Sequence, residues 1–556
     1  MSGMNKIRSI RKQCRNNTVL LTFFGLFWSY IFVMFIYNMI NLGKVSDYLS
    51  VVNVWAGYGR YLFIIVLVLS FLKKEDDGIL WAAVLGIGYI LQLMLAFLFC
   101  LQFTSGSFML FMDLAAYIFI YVICPAVTAW LIGRISGGIR NDILSVIVLL
   151  VLGSIFLFNI IQEILLFPAF GLSEEVYTVI SKAFLIFNNS LRNTFAAPDK
   201  FAPFAVNITD VGTGVFWIGL FALILGIIRK KKVMPVLIVP VLCCVFLMAL
   251  EENKYQVYAN RSFLDNGSKM LDSWKIDQIY YKKRDIILKD NEPVRAETQF
   301  LIERYHLDIT AGLKTKFTSV LQLSEADLNE YVISLYHGYQ VRSVTDEEGN
   351  ALTFSQQEDS IIVSSEGKVL REITIEYEGT GLTYMASKDY TCLPEYYIYY
   401  PVAGQYILYD FRSMNYAKNI NLPETYFSVV VHAGYEVYSN IPKKDYNMFE
   451  GTCTGPVLVG GKYLRSCDDD GATIVYSTLS ADEKTAKEQY ENIISFYQAQ
   501  NVDFSNKAWF VCPYYGGSFV RFYVGNEYIF GSYDELMINM PLTYDIPSSE
   551  VLKWRK

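Results

Sequence analysis

Along the first 250 residues, polar positions fall almost entirely between long apolar runs. These are Thr18 to Asn41, Val51 to Leu72, Ile79 to Phe103, Phe108 to Ile132, Ile143 to Pro168, Val211 to Ile228 and Val233 to Leu250. A hydrocarbon core of roughly 30 Å takes about 20 residues at about 1.5 Å each, so the pattern predicts about seven helical spans. The first run is too long for the apolar core of a signal peptide and has no small-residue cleavage site behind it, which predicts an uncleaved span.

After Leu250 the texture changes. Residues 251–290 are charged and helix-like and are expected to form a stalk. Beyond them, "FLIERYHLDIT", "KFTSVLQLS", "EYVISLYHGYQVRSV", "SIIVSS" and "REITIEYEG" alternate apolar and polar positions and are separated by the turn signals "DEEGN" and "SSEGK". Spacing of this kind predicts an antiparallel sandwich or saddle over 291–478. Within 479–556, Tyr490, Ile493, Ile494 and Tyr497 recur at a helical period, with Ser480 and Glu483 placed as a capping box. The expected fold is therefore a multi-pass α-helical membrane domain over 1–250, the stalk, a mainly-β domain, and a small α+β tail.

Charge orients this arrangement. Residues 1–250 carry 18 Lys and Arg against 11 Asp and Glu, and the remainder 29 against 43. With the N-terminus inside, "MSGMNKIRSIRKQCRNN", "KKEDDG", "GRISGGIRND" and "RKKK" are cytoplasmic and hold 13 of those 18 cations. Seven crossings then place everything after Leu250 outside, on an integral plasma-membrane protein. The lipid bilayer is the expected partner. Nucleic acid is not, because the second half is acidic and the cation clusters flank spans.

The first six spans, with one long connection from Gly171 to Asp210, resemble in layout the permease domain of type-2 ABC exporters. No phosphate-binding G-x-x-x-x-G-K-[ST] loop occurs in the chain, so the resemblance implies a separate ATPase subunit. Arg60, Asp113 and Glu163 lie within spans, where charge is costly. Two readings stand. They form an outward-facing polar site in which Arg60 is neutralised by Asp113 or Glu163, or a structural ion pair or snorkelling arginine that only fixes helix packing.

In the second half the serial order "ERYHLDI", "VISLYHGYQVRSVTDEEGNALTF", "ITIEYEGTG", "YYIYYPVAGQ" and "YFSVVVHAGYEVYSN" resembles the N-terminal β-domain of the aminopeptidase N family of gluzincin metallopeptidases. The helix after Ser480 and "KAWFVCPYYGGSFVRF" resemble the start of that family's catalytic domain. The resemblance implies a peptide-binding surface, with a peptide as candidate substrate. Its chemistry requires zinc held by H-E-x-x-H, two histidines one helical turn apart. His306, His337 and His432 are the three histidines of the chain and none are so paired. Two alternatives follow: a binding domain that has lost catalysis and holds no cofactor, or the N-terminal part of a zinc aminopeptidase whose site lies beyond residue 556. "CDDDGAT" reads as a solvated turn. Cys453 and Cys467 are symmetric about Gly460, so a hairpin turning there would bring them together as a disulfide, the other reading being buried free thiols.

Overall fold

The structure is a computed structural model. It describes residues 22, 24–31, 33–34, 48–72, 78–101, 107–158, 206, 208–229, 238–240, 242–243, 281, 298–312, 314–379, 384–410, 415–416, 422–469, 471–502, 504, 507–511, 523–525 and 527–538. Two compact units divide the chain. One comprises Met1–Ala197 with Pro203–Val257, the other Pro198–Ala202 with Tyr258–Lys556.

The described part of the first unit is helical: α1 (Tyr48–Leu72), α2 (Gly78–Cys100), α3 (Ser107–Ile118), α4 (Cys124–Gly137), α5 (Asp142–Phe158) and α6 (Ile208–Ile228). A single π-helical turn, Phe119–Ile123, joins α3 to α4, and the Cys124 N–H donates to the Phe119 carbonyl. Pro125 accounts for it. Proline has no N–H, and its ring crowds the carbonyl one turn back, so the preceding turn widens. The segment from Phe108 to Gly137 is thereby one apolar rod of 30 residues. Helix α1 packs along α4, α5 and α6 also lean on α4, and α2 pairs with α3.

Among the described residues three helices are long and apolar enough to cross a membrane: Leu80–Cys100, Phe108–Gly137 and Val211–Ile228. Tyr58–Leu72 and Asp142–Ser154 are shorter apolar helices. The expectation of seven spans is thus supported for three. Most of the first and last expected spans, the end of the fifth, and most of the Gly171 to Asp210 connection lie outside the described residues.

The second unit is mainly β. Its largest sheet contains β1 (Ile302–Thr310), β2 (Thr315–Leu323), β4 (Tyr339–Asp346), β7 (Glu372–Gly379), β13 (Thr425–His432), β15 (Lys443–Asp445) and β16 (Met448–Cys453), in the order β15-β16-β13-β1-β2-β7-β4. Strand period sets its faces. In β1, Tyr305, Leu307 and Ile309 are buried while Arg304, His306 and Thr310 are exposed. The expectation of an antiparallel sheet needs one correction, because β1 and β13 run parallel. Their first positions, Ile302 and Thr425, are 123 residues apart with other strands between them, and a connection of that length imposes no hairpin. The signals "DEEGN" and "SSEGK" are turns with Gly349 and Gly367 at positive φ (83° and 80°), the backbone region that glycine tolerates.

Smaller sheets cover the buried face. β3 (Glu330–Ser334), β5 (Phe354–Gln357), β6 (Ser360–Ser364) and β10 (Val402–Ala403) form one; β8 (Met385–Ala386), β9 (Tyr390–Leu393), β14 (Val437–Ser439) and β17 (Leu458–Gly461) another; β11 (Tyr409–Asp410) pairs with β12 (Asn415–Tyr416). Between them lies a core rich in tyrosine. Tyr377 stacks on Phe317 with ring centroids 4.7 Å apart, and Tyr305 stacks on Phe427 at 4.5 Å. Buried phenols need hydrogen-bond partners. Tyr377 meets the Ser319 hydroxyl (3.1 Å) and donates to the Tyr399 carbonyl (3.0 Å), and Tyr399 donates to the Pro456 carbonyl (2.8 Å).

The tail is a five-stranded sheet, β18 (Leu464–Asp469), β19 (Ala472–Ser477), β20 (Ala508–Phe510), β22 (Tyr528–Phe530) and β21 (Tyr523–Val524) in that order, with helices α7 (Glu483–Gln498) and α8 (Tyr533–Ile538). It recruits β18 and β19 from before residue 479 because β19 pairs in parallel with β20 across α7. Helix α7 buries Ala486, Tyr490, Ile493, Phe496 and Tyr497 on one face, as its period predicts. Its cap is Asp482, which accepts the Thr485 N–H at 2.8 Å. Ser480, the expected cap, instead donates to the Ser477 carbonyl. A carboxylate two residues nearer the helix start also meets the positive end of its dipole.

Candidate functional site

Arg60 is exposed on α1 and Asp113 half-buried on α3; Glu163 lies outside the described residues. The two helices pack chiefly on different partners, α1 on α4 and α3 on α2. Of the histidines, His306 meets the Ser428 hydroxyl at 3.2 Å and His432 meets Asp308 at 3.1 Å on the exposed face of the large sheet, while His337 meets Asp359 at 3.0 Å in the interior. Among the described residues no three His, Cys, Asp or Glu side chains converge to hold a metal ion. The donor set shown here does not fit the zinc that the aminopeptidase resemblance requires.

The hairpin expected to join Cys453 and Cys467 is not formed. Leu458–Gly461 is extended and pairs with β9 and β14, so Gly460 is a strand residue rather than a turn. Cys453 ends β16 and Cys467 lies in β18, in different sheets, and both are free thiols. Burial pushes the Cys467 thiol up to about 11 and Cys453 higher still, which makes both poor nucleophiles near neutrality.

One constellation in the second unit has the features of a ligand site, and it centres on Glu395. The segment Pro394–Pro401, between β9 and β10, is irregular, and its tyrosines fan outward. Tyr396 reaches Tyr523 (4.9 Å) and Phe530 (6.4 Å) in the tail sheet, and Tyr400 packs edge-on against Tyr305 (5.5 Å) and Phe427 (5.5 Å) in the large sheet. Glu395 therefore sits where the two parts of this unit meet. Its Oε1 accepts the Thr454 hydroxyl at 2.9 Å. The Tyr528 hydroxyl lies near enough to favour the carboxylate, yet neither that hydroxyl nor Glu395 Oε2 is engaged in a hydrogen bond of ordinary geometry, and both are buried. The Tyr400 hydroxyl is likewise buried without a bond.

Gly455 makes this closeness possible, since a Cβ there would lie 2.7 Å from both Glu395 Cγ and the Tyr400 hydroxyl. Desolvation raises the Glu395 carboxyl above its ordinary 4.5, with nearby Glu527 adding to the rise; Thr454 and Tyr528 oppose it. Thr454 and Tyr400 also line an apolar cleft with Leu301, Tyr305, Tyr406 and Phe427. Sequence reasoning passed over Glu395, reading the adjoining "YYIYYPVAGQ" only as part of the family resemblance. The available signal was a carboxylate between proline and five aromatic or aliphatic residues, in "LPEYYIYY".

No protein-family model and no curated protein sequence matches the chain. Solved structures do. Yeast LTA4 hydrolase in complex with bestatin is 11% identical with a TM-score of 0.32, aligned over 48% of this chain and 45% of that one. Native leukotriene A4 hydrolase from Saccharomyces cerevisiae is 10% identical at 0.32, over 46% and 45%. An M1 zinc metallopeptidase from Deinococcus radiodurans is 11% identical at 0.29, over 46% and 65%. This chain spans less than half the length of the yeast enzyme. Neither family models nor curated sequences support the exporter-permease resemblance of the first unit. The functional reading rests on the geometry around Glu395.

Proposed function

We propose that this is a membrane-anchored protein whose β-rich unit lies outside the cell and binds, without cleaving, a ligand that carries a primary ammonium group. The observation that carries the reading is the buried Oε2 of Glu395, which lacks a hydrogen bond of ordinary geometry among aromatic rings. A buried carboxylate oxygen met by no more than the Tyr528 hydroxyl keeps unused acceptor capacity, at a cost on the order of 1–3 kcal/mol. An ammonium offers three donors and a full charge, and its attraction to the faces of neighbouring tyrosines adds about 0.5–2 kcal/mol. The sequence resemblance to a peptidase β-domain supports a peptide N-terminus as the bearer of the amine. The apolar cleft beside Thr454 and Tyr400 suits an uncharged flank of such a ligand.

The reading is confined to binding, which is what the surroundings of Glu395 support. Anchorage, rather than transport, is the role assigned to the first unit, since three apolar helices suffice for it. Titration of the full chain in lipid nanodiscs with trialanine and with N-acetyl-trialanine tests the reading. The free amine should bind at least roughly tenfold more tightly, the difference one charge-assisted hydrogen bond makes, and should be recovered intact. Equal affinities would sink the amine site, and cleavage would sink the binding-only reading.

The outside location rests on the cation bias of the loops. In intact cells a membrane-impermeant maleimide should label Glu348→Cys, in an exposed turn of the β-rich unit, and spare Arg140→Cys, exposed between α4 and α5. The reverse pattern would invert the topology.

A further inference from the structure

Of the polar atoms in the second unit that are buried without a hydrogen bond of ordinary geometry among the described residues, three lie beside one another: Glu395 Oε2, Tyr400 Oη and Tyr528 Oη. Gly455 brings the first two together, since the point where its Cβ would stand is 2.7 Å from both Glu395 Cγ and Tyr400 Oη. Tyr528 arrives from another element, β22 of the tail sheet, and its hydroxyl is near enough to Glu395 to favour the ionised carboxylate. Its ring packs edge-on against Phe510 at 5.9 Å and lies 5.7 Å from that of Tyr523, while Tyr400 is wedged against Tyr305 and Phe427. These ring contacts hold the two hydroxyls beside the carboxylate. Thr454 adds nothing more, because its hydroxyl is already spent on Oε1 at 2.9 Å.

The chemistry of the three atoms sets what can fill the space between them. Burial pushes both phenols well above their ordinary value of 10, and Glu395 adds to the rise in each, so both stay neutral. A neutral phenol can turn its proton toward the carboxylate and still accept a hydrogen bond on its oxygen. Three acceptors therefore remain, and a primary ammonium has three N–H groups. We propose that Tyr400 and Tyr528 complete, with Glu395, a three-acceptor socket that selects an unsubstituted primary ammonium and rejects an N-methylated one. The inference rests on the amine reading above and adds to it a limit that charge alone does not impose. Methylating the nitrogen once keeps its charge, and with it the attraction of Glu395, but turns a methyl group toward one buried oxygen. Acetylating the nitrogen removes the charge itself, so the two modifications separate the socket from the amine reading.

Calorimetric titration of the full chain in nanodiscs at neutral pH tests this with trialanine, trialanine methylated once on its amino nitrogen, and N-acetyl-trialanine. The parent should bind trialanine about tenfold or more tightly than the methylated peptide, the effect of one hydrogen bond to a charged group. Tyr400→Phe and Tyr528→Phe each keep the ring and remove one oxygen, so the methyl group can take the vacated place. In each variant the preference for trialanine should shrink to within about threefold, chiefly because trialanine has lost a partner. The parent comparison needs no substitution, so it decides the question even where a variant folds poorly. A parent that binds the methylated peptide as tightly as trialanine would overturn the socket, and so would variants that keep the parent's full preference. In both cases weak binding of the acetylated peptide would leave the amine reading standing. Equal binding of trialanine and its acetylated form would remove that reading, and the socket with it.

Discussion

Gly133→Leu is expected to abolish the folded first unit. Gly133 and Gly137 lie one turn apart on α4, and both face α1 at backbone distance. A Cβ at Gly133 would lie 1.9 Å from Ser70 Oγ, 2.7 Å from the Leu67 carbonyl oxygen and 3.0 Å from the Phe71 nitrogen; one at Gly137 would lie 2.9 Å from the Phe71 carbonyl oxygen. A flexible side-chain end could move aside, but the Leu67 and Phe71 backbone is held in the hydrogen-bond ladder of α1. Small residues at such a crossing let two helices touch by their main chains, which is the chief attraction available where apolar burial gives little. Overpacking costs typically 1–3 kcal/mol in a yielding core, and with backbone on the far side the upper end or beyond is expected. Fluorescence-detected size exclusion should show aggregate in place of a monodisperse peak. Gly86→Leu is the control, since nothing lies within 4 Å of its added Cβ, and it should elute as the parent does. A monodisperse Gly133→Leu protein would mean that α1 and α4 do not pack as described.

Tyr377→Ala should destabilise the β-rich unit by roughly 3–5 kcal/mol, the usual cost of truncating a buried aromatic. Tyr377 is 2% exposed, stacks on Phe317 and packs edge-on to Tyr339 at 5.8 Å, so its removal opens a cavity beneath β2, β4 and β7 at once. It also strips the Tyr399 carbonyl of its 3.0 Å donor. Tyr377→Phe isolates that second term and should cost about 1–2 kcal/mol. Denaturant unfolding followed by tyrosine fluorescence measures both. An alanine variant as stable as the parent would show that the tyrosine core does not hold the large sheet to its cover.

The order of these effects explains what the sequence could tell. Alternation in "IERYHLDIT" and "TKFTSVLQL" announced β1 and β2 because each strand buries one face, and the helical period announced α7 because one stripe of it is buried. The parallel pairing of β1 with β13 was not legible, since periodicity says which face is buried and nothing of the neighbour across a long connection. The same limit misled the disulfide reading, where symmetry of Cys453 and Cys467 about Gly460 suggested a turn although Leu458–Gly461 is buried strand. Local hydrophobicity outweighed the glycine pair. Glu395 was invisible for a different reason. Its character comes from Thr454, Gly455 and Tyr528, which are distant in sequence and meet it only after folding.

The central claim is that Glu395 receives an ammonium group, and its protonation gives the sharpest test. Desolvation raises the carboxyl in the folded protein above its ordinary 4.5. Between that value and the raised one, the folded protein holds a proton that the unfolded chain would release. Stability of the free protein therefore falls as pH rises through this window. Ligand affinity runs the other way, because a peptide α-ammonium, which loses its proton only near pH ~8, stays mostly charged over this range and only the ionised carboxylate pairs with it. The decisive measurement is calorimetric titration of the full chain with trialanine from pH 4.5 to 7.5, for the parent and for Glu395→Gln. The parent should bind more tightly as pH rises and then level off. The variant should bind about 10–100-fold more weakly at the upper end, as loss of a charged hydrogen bond implies, with no dependence on pH across the window. Equal affinities for the two proteins, or a parent affinity that does not change with pH, would contradict the claim.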